Sequence, residues 1–158
     1  MKKPLELKLE RTRLNSLNFQ FKAKPGQANL PEKGSLVANV GWKSKYDKTQ
    51  KQLHVILFAS VNQDDVPFSL NAAYEGMFHL SKSPKKQELQ RLQNVNCPAI
   101  LFPFLRESIA EVTRRGDLEP VYLPVLNFVQ MWHKKRAAEE QGEKGENKDS
   151  CSELGKKE

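Results

Sequence analysis

A chain of 158 residues with 38% hydrophobic and 28% charged residues has the size and composition of one ordinary globular domain, able to bury about 70% of the surface its unfolded chain would expose. The longest apolar stretch, Leu53 to Val61, contains His54 and Ser60 and falls far short of the ~20 apolar residues that span a bilayer. Glu6, Lys8 and Glu10 interrupt any apolar run that a secretory leader would need, so no membrane span and a cytoplasmic location are expected. The formal charge of +7 is uneven: residues 1–133 hold 19 Lys/Arg against 12 Asp/Glu, and residues 134–158 hold seven of each. A basic folded part suits nucleic acid, an acidic protein or anionic lipid, and charge alone does not choose among them.

From Leu5 to Phe21 the apolar residues Leu5, Leu7, Leu9 and then Leu17, Phe19, Phe21 alternate with polar ones, which predicts a strand with a break near Asn15. Pro25, Gly26 and Pro31 mark a loop. Ser35 to Trp42 and Gln52 to Val61 then read as strands separated by a polar turn from Lys43 to Lys51, and Pro67 opens a fourth strand that runs to about Leu80. Short polar turns between four strands imply an antiparallel sheet. Leu89 and Leu92 place a short helix over Lys85 to Asn94. Phe102, Leu105, Ile109 and Val112 form the stripe of a longer helix over Ala99 to Arg115, stopped by Gly116. Pro103 is tolerable only near a first turn, which argues for a start later than Ala99. Glu111 is spaced to pair with Arg115. Asn127 with Gln130 resembles a capping box for a last helix bearing Phe128, Met131 and Trp132 on one face. Residues 1–140 thus form the expected domain. Residues 141–158, with Leu154 their only aliphatic side chain, are expected to be a disordered tail.

The chemistry of catalysis is missing from this pattern. His54, His79 and His133 lie in separate elements without metal spacing, Lys33-Gly34-Ser35 lacks the upstream glycines of a phosphate loop, and no serine sits in a nucleophile elbow. Cys97 and Cys151 have neither zinc nor disulfide spacing and read as free thiols. No enzyme activity, metal or cofactor is expected. Lys43, Lys45, Lys48 and Lys51 surround Tyr46 as in single-strand binders. Tyr46 stands alone among them, so a solvated turn outweighs a basic nucleic-acid-binding module, which stays as an alternative function.

The run Cys97-Pro98-Ala99-Ile100-Leu101-Phe102-Pro103-Phe104-Leu105-Arg106-Glu107, with Arg115-Gly116 closing its helix and Leu123-Pro124-Val125-Leu126-Asn127-Phe128 opening the next, closely resembles the SecB protein-export chaperone family. Tyr74-Glu75-Gly76-Met77-Phe78 looks like that family's fourth strand, and the likeness covers roughly residues 5 to 140. Gly116-Asp117-Leu118-Glu119-Pro120 departs from it, since members usually carry an aromatic and then proline after the glycine. The resemblance implies an α+β fold, a four-stranded antiparallel sheet with helices on one face, assembling as a dimer of dimers. Phe102, Phe104 and Leu105 spread around their helix more widely than one sheet face requires, which agrees with an interface.

What the resemblance implies about function is an ATP-independent holdase, a homotetramer that keeps non-native polypeptide clients in grooves between the sheet, the crossover loop and the last helix. Phe128, Met131 and Trp132 would form one wall and Phe68, Leu70 and Tyr74 the other, with plain core packing as the competing fate of both sets. Clients would be preproteins for export or, as for some SecB-like proteins, the antitoxin of a toxin-antitoxin system. The family's secretion motor, SecA, docks a basic tail on carboxylates of the sheet. Ser16, Gln20 and Asn71 align with those carboxylates and are neutral here.

Overall fold

The computed structural model describes residues 2–22, 24 and 36–149, with side chains up to residue 142. The chain divides into two compact units, Met1–Val125 and Leu126–Glu158. The first holds four strands, β1 (Leu7–Phe21), β2 (Asn39–Asp47), β3 (Gln52–Asn62) and β4 (Phe68–Leu80), then helices α1 (Lys86–Arg91) and α2 (Cys97–Arg115) joined by a π-helical turn, Leu92–Asn96. The second is helix α3 (Phe128–Asp149) with the residues flanking it.

All strand pairs are antiparallel, in the order β1-β4-β3-β2. Side chains of a strand alternate between faces, and one face of this sheet is continuously apolar. Leu53, Val55, Leu57, Ala59 and Val61 of β3 and Phe68, Leu70, Ala72, Phe78 and Leu80 of β4 are buried. Leu101, Leu105 and Ile109 of α2 recur at four-residue spacing and are fully buried, a stripe that closes the core. Gly76 sits under this helix. A Cβ there would lie 2.7 Å from Leu101 Cδ2 and 2.9 Å from the Phe78 ring.

The break expected near Asn15 is a β-bulge in an unbroken strand. The register skips a residue between Leu14 and Ser16, and another between Leu9 and Arg11. Each extra residue reverses which face the following side chains take. Two bulges therefore return Leu17, Phe19 and Phe21 to the face of Leu7 and Leu9.

Three further expectations are corrected. Lys43 to Asp47, read as a polar turn, belong to β2. β2 is an edge strand with one face open to water, where lysines are tolerated and discourage pairing with other chains. The actual turn is residues 48–51, where the Asp47 carboxylate accepts the amides of Thr49 (2.9 Å) and Gln50 (3.1 Å) and Lys51 takes a left-handed φ of 53°. The two helices expected around Pro98 form one unbroken rod, because the Cys97 amide reaches back five residues to Leu92 O, a π-turn that bridges into the proline-started helix. Pro103 lies inside α2. It and Ala99, whose carbonyl loses its amide partner, are both exposed. Finally, α3 continues to Asp149, past the boundary expected at residue 141, since propagating a helix gains a hydrogen bond for each residue added. Residues 150–158, with Cys151, lie outside the described part.

Gly76→Ala should force Leu101 outward and destabilise the fold by about 1–3 kcal/mol, the usual penalty for an overpacked core, read as a lowered urea midpoint with an unchanged slope.

Candidate functional site

Residues 117–125 follow α2 as an irregular segment pinned to the helix at defined points. Buried Thr113 is the main pin. Its Oγ1 accepts the Val121 amide at 2.9 Å and donates to the carbonyls of Ile109 and Ala110, both at 3.0 Å. Arg106 Nε donates to Leu123 O at 2.8 Å, and its guanidinium lies 4.9 Å from the centre of the Tyr122 ring. Val121 and Leu123 are thereby buried, while the side chains between and after them turn out: Tyr122 is 58% exposed and Val125 90%.

Gly116 ends α2 as expected, for a different reason. Its φ is −82°, and the left-handed residue is Asp117, at 59°. A Cβ on Gly116 would come within 3.0 Å of the Phe19 ring and 3.1 Å of the Phe21 ring, so glycine serves close approach to β1 here.

Between this segment and the outer side of α2 lies a cleft of about 700 Å³, floored by Phe102, Pro103 and Ala110 and rimmed by Arg106, Tyr122 and Val125. It is apolar at its base, and its lip carries both signs of charge, Arg106 and Arg114 beside Glu107 and Glu111. Glu111 is held by Arg115 at 2.8 Å, as expected. Such a concavity with exposed apolar walls fits an extended polypeptide, with side chains entering and backbone groups staying hydrated.

The residues singled out from sequence divide. Phe68 and Leu70 are fully buried in the core and present no surface, a correction to their place on a groove wall: they occupy alternate positions on the face that α2 covers. Tyr74, on the same face at the middle of β4, is half-buried and stacks on Phe104 at 5.5 Å. In α3, Phe128 is buried and Met131 and Trp132 are half-buried. Trp132 stacks on His133 at 5.9 Å, and the Arg136 guanidinium lies 5.1 Å from its centre. The expected cap is present: the Gln130 amide donates to Asn127 Oδ1 at 3.1 Å. Ser16, Gln20 and Asn71 lie together on the uncovered sheet face, all exposed, opposite Ala73, Ser69 and Asn18 respectively. Tyr46 is not presented with the lysines beside it. It lies on the covered face, its hydroxyl buried without a hydrogen-bond partner among the described residues, whereas Lys43 and Lys45 take the open face.

Sequence reasoning missed a polar cluster on that open face. Glu75, opposite Arg13 in the register, is buried. Its carboxylate accepts hydrogen bonds from Arg13 Nε, from His54 Nε2 at 2.9 Å and from the bulged Asn15 at 3.3 Å. The Arg13 bond holds the Glu75 carboxyl below its ordinary 4.5 against the raising effect of burial, with His54 adding to the lowering. The signal was Asn15 at the break in the strand pattern. Burial pushes the Cys97 thiol up to about 12, which leaves it protonated and unreactive. Among the described residues no group of His, Cys, Asp and Glu could hold a metal, and no helix is long and apolar enough to cross a membrane.

The family described as preprotein translocase subunit SecB matches residues 6–139. The chain belongs to the SecB family. A SecB protein-export protein of Mesorhizobium japonicum is 32% identical over 135 residues, 83% of this chain and 80% of that one. SecB proteins of Bartonella bacilliformis and Brucella canis are 32% and 37% identical over 89 and 84 residues, 54% and 53% of this chain. The chain spans about half the length of these two relatives, 55% and 50%. Among solved structures, the SecB-like chaperone of Mycobacterium tuberculosis, in complex with a ChAD peptide from the HigA1 antitoxin, superposes with a TM-score of 0.59 at 21% identity, covering 76% of this chain and 90% of that chain. At that identity the likeness shows the SecB fold.

The Glu75 cluster sets a pH dependence. A carboxyl whose pKa is lowered by folding stabilises the folded state fully above its ordinary value of 4.5, and that contribution is lost as the pH falls through the lowered value. Glu75→Gln should therefore cost about 1 kcal/mol at neutral pH, modest because Arg13 is open to solvent. The gap to wild type should close in urea unfolding as the pH falls below 4.

Proposed function

We propose that this SecB-family protein is an ATP-independent holding chaperone that binds non-native polypeptides as a homotetramer. The observation that carries the reading is the cleft beside α2, whose apolar rim residues Tyr122 and Val125 are exposed while Thr113 and Arg106 anchor the backbone at Val121 and Leu123. A client would be held by many weak contacts along its length and no bond would be made or broken. Tyr74 in the first unit is half-buried, and so, within α3, are Met131 and Trp132; each unit by itself offers partly open surface suited to varied side chains. Assembly is supported by β1. This edge strand of 15 residues has an unpaired side and carries exposed Leu14, Leu17 and Phe21, a combination that invites pairing with a second copy.

The protein-export role of the named relatives makes preproteins the first client class. A second reading, a dedicated antitoxin client, is favoured by two observations: the fold is shared with a chaperone solved with an antitoxin peptide, and Ser16, Gln20 and Asn71 offer no carboxylate to a basic motor tail such as that of SecA. Each missing contact would be a charge-assisted hydrogen bond worth about 1.5 to 3 kcal/mol.

Aggregation of an unfolded model protein should be suppressed without ATP, and light scattering should give about four times the 18.1 kDa chain mass. Trp132→Ala should weaken client binding by ~2 kcal/mol if Trp132 is an anchor; unchanged affinity in a folded variant removes α3 from the site, and loss of suppression in neither Trp132→Ala nor Tyr122→Ser removes the groove. By calorimetry a basic motor tail should bind the wild type weakly and a Ser16→Asp, Gln20→Glu, Asn71→Glu variant more tightly. Tight binding to the wild type favours the export reading over the antitoxin one.

A further inference from the structure

The sheet face turned away from α2 gathers positive charge in one place. Across the strands from β2 to β1, the register aligns Lys43, Ile56, Glu75 and Arg13 in one row and Lys45, His54, Met77 and Arg11 in the next. All four cations are exposed. Glu75, the single carboxylate of these rows, is buried and already engaged by Arg13 and His54. Arg11, Lys43 and Lys45 make no ion pair among the described residues. On one side the next row is Gly41, Phe58, Ala73 and Ser16, without charge. On the other it is Asp47, Gln52, His79 and Lys8, where the Asp47 carboxylate is taken by turn amides. The bulged Glu10 reaches Gln52 at 3.4 Å. The surplus charge of this face is positive and unanswered.

We infer that this face docks an acidic, extended protein segment, with its carboxylates on Arg11, Arg13, Lys43 and Lys45 and its apolar side chains over Ile56 and Met77. Alternate residues of a strand are about 6.8 Å apart, so the pairs Arg11/Arg13 and Lys43/Lys45 repeat at the interval at which an extended partner presents alternate side chains. The outer strands β1 and β2 lie about 14 Å apart across three strand spacings, a width that one extended chain and its side chains can fill. Between them, half-buried Ile56 and Met77 supply an aliphatic floor. A hollow of about 260 Å³ bounded by Arg11, Arg13, His54, Glu75 and Met77 accepts one side chain. Single-stranded nucleic acid fits less well, because such binders stack bases on rings set among their cations. Here Tyr46 is on the other face, and Phe58, one row away, lies over Gly41, where a Cβ would come within 2.6 Å of its ring. The inference goes beyond the chaperone reading and uses the opposite side of the sheet from the helix-lined cleft.

The test is fluorescence anisotropy on the full chain with three labelled probes: a peptide of alternating Glu and Thr, a matching peptide of alternating Lys and Thr, and an oligothymidylate of equal charge. The acidic peptide should bind, and lose about tenfold or more in affinity in Lys43→Glu/Lys45→Glu and on raising salt well above physiological strength. The basic peptide should bind only the variant. An unchanged thermal transition shows that the variant is folded; if it shifts, Arg11→Gln replaces it, with an expected loss of about threefold. Absent binding of the acidic peptide, or equal binding to wild type and folded variants, overturns the inference. So does tighter binding of the oligothymidylate with loss in the same variants, which assigns the face to nucleic acid.

Discussion

Helix α2 can lie on the sheet because β4 presents no side chain at position 76. A methyl group there would fall within 2.7 Å of Leu101 and 2.9 Å of Phe78, and a dense core has no slack to absorb it. With the methyl absent, Leu101 and Leu105 seat on the apolar face of β3 and β4 and are sealed from water. The other end of the helix uses the same device, Gly116 against the rings of Phe19 and Phe21. Close approach at both ends sets where the 117–125 segment begins, and so where the cleft opens.

Position 75 is the counterpart of position 76. Neighbouring strand residues face opposite ways, so the residue before the glycine under the helix points to the open face, and there it is a glutamate. Its burial without a partner would be costly. The bulge at Asn15 solves this by turning an amide toward it while Arg13 and His54 close from either side. The same arrangement consumes the negative charge of the open face, leaving its lysines and arginines to dominate the field there. One local pairing thus shapes both the acid response of the fold and the sign of a surface.

The cleft itself is built from backbone anchors. Thr113 and Arg106 hold amide and carbonyl groups of the segment, while the Val125 side chain is open to water and Tyr122 shows its ring beside the Arg106 guanidinium. Shape is then rigid where it is defined by hydrogen bonds and adaptable where Tyr122 and Val125 meet a ligand. That division suits recognition of many sequences by one surface, since side-chain contacts can re-pack without moving the frame.

Much of this was legible in the sequence because local chemistry reported it. Alternation placed β1, bounding polar turns placed β3 and β4, the stripe of Phe102, Leu105 and Ile109 placed α2, Asn127 capped α3, and the run from Cys97 to Glu107 pointed to SecB. Where competing local signals met, the tertiary structure decided. Lysines at 43 and 45 read as a turn until β2 was seen at an edge, where water takes one face. Pro98 and Pro103 read as breaks, yet a π-turn and an exposed flank carry the helix past both. Phe68 and Leu70 read equally as groove or core, because alternation identifies a face without saying what covers it, and α2 covers this one. Glu75 looked like any strand glutamate, since its partners Arg13 and His54 are 62 and 21 residues away along the chain. Periodicity is a property of neighbours in sequence and so was written there; burial and charge pairing are properties of neighbours in space, which only the register of the folded sheet brings together.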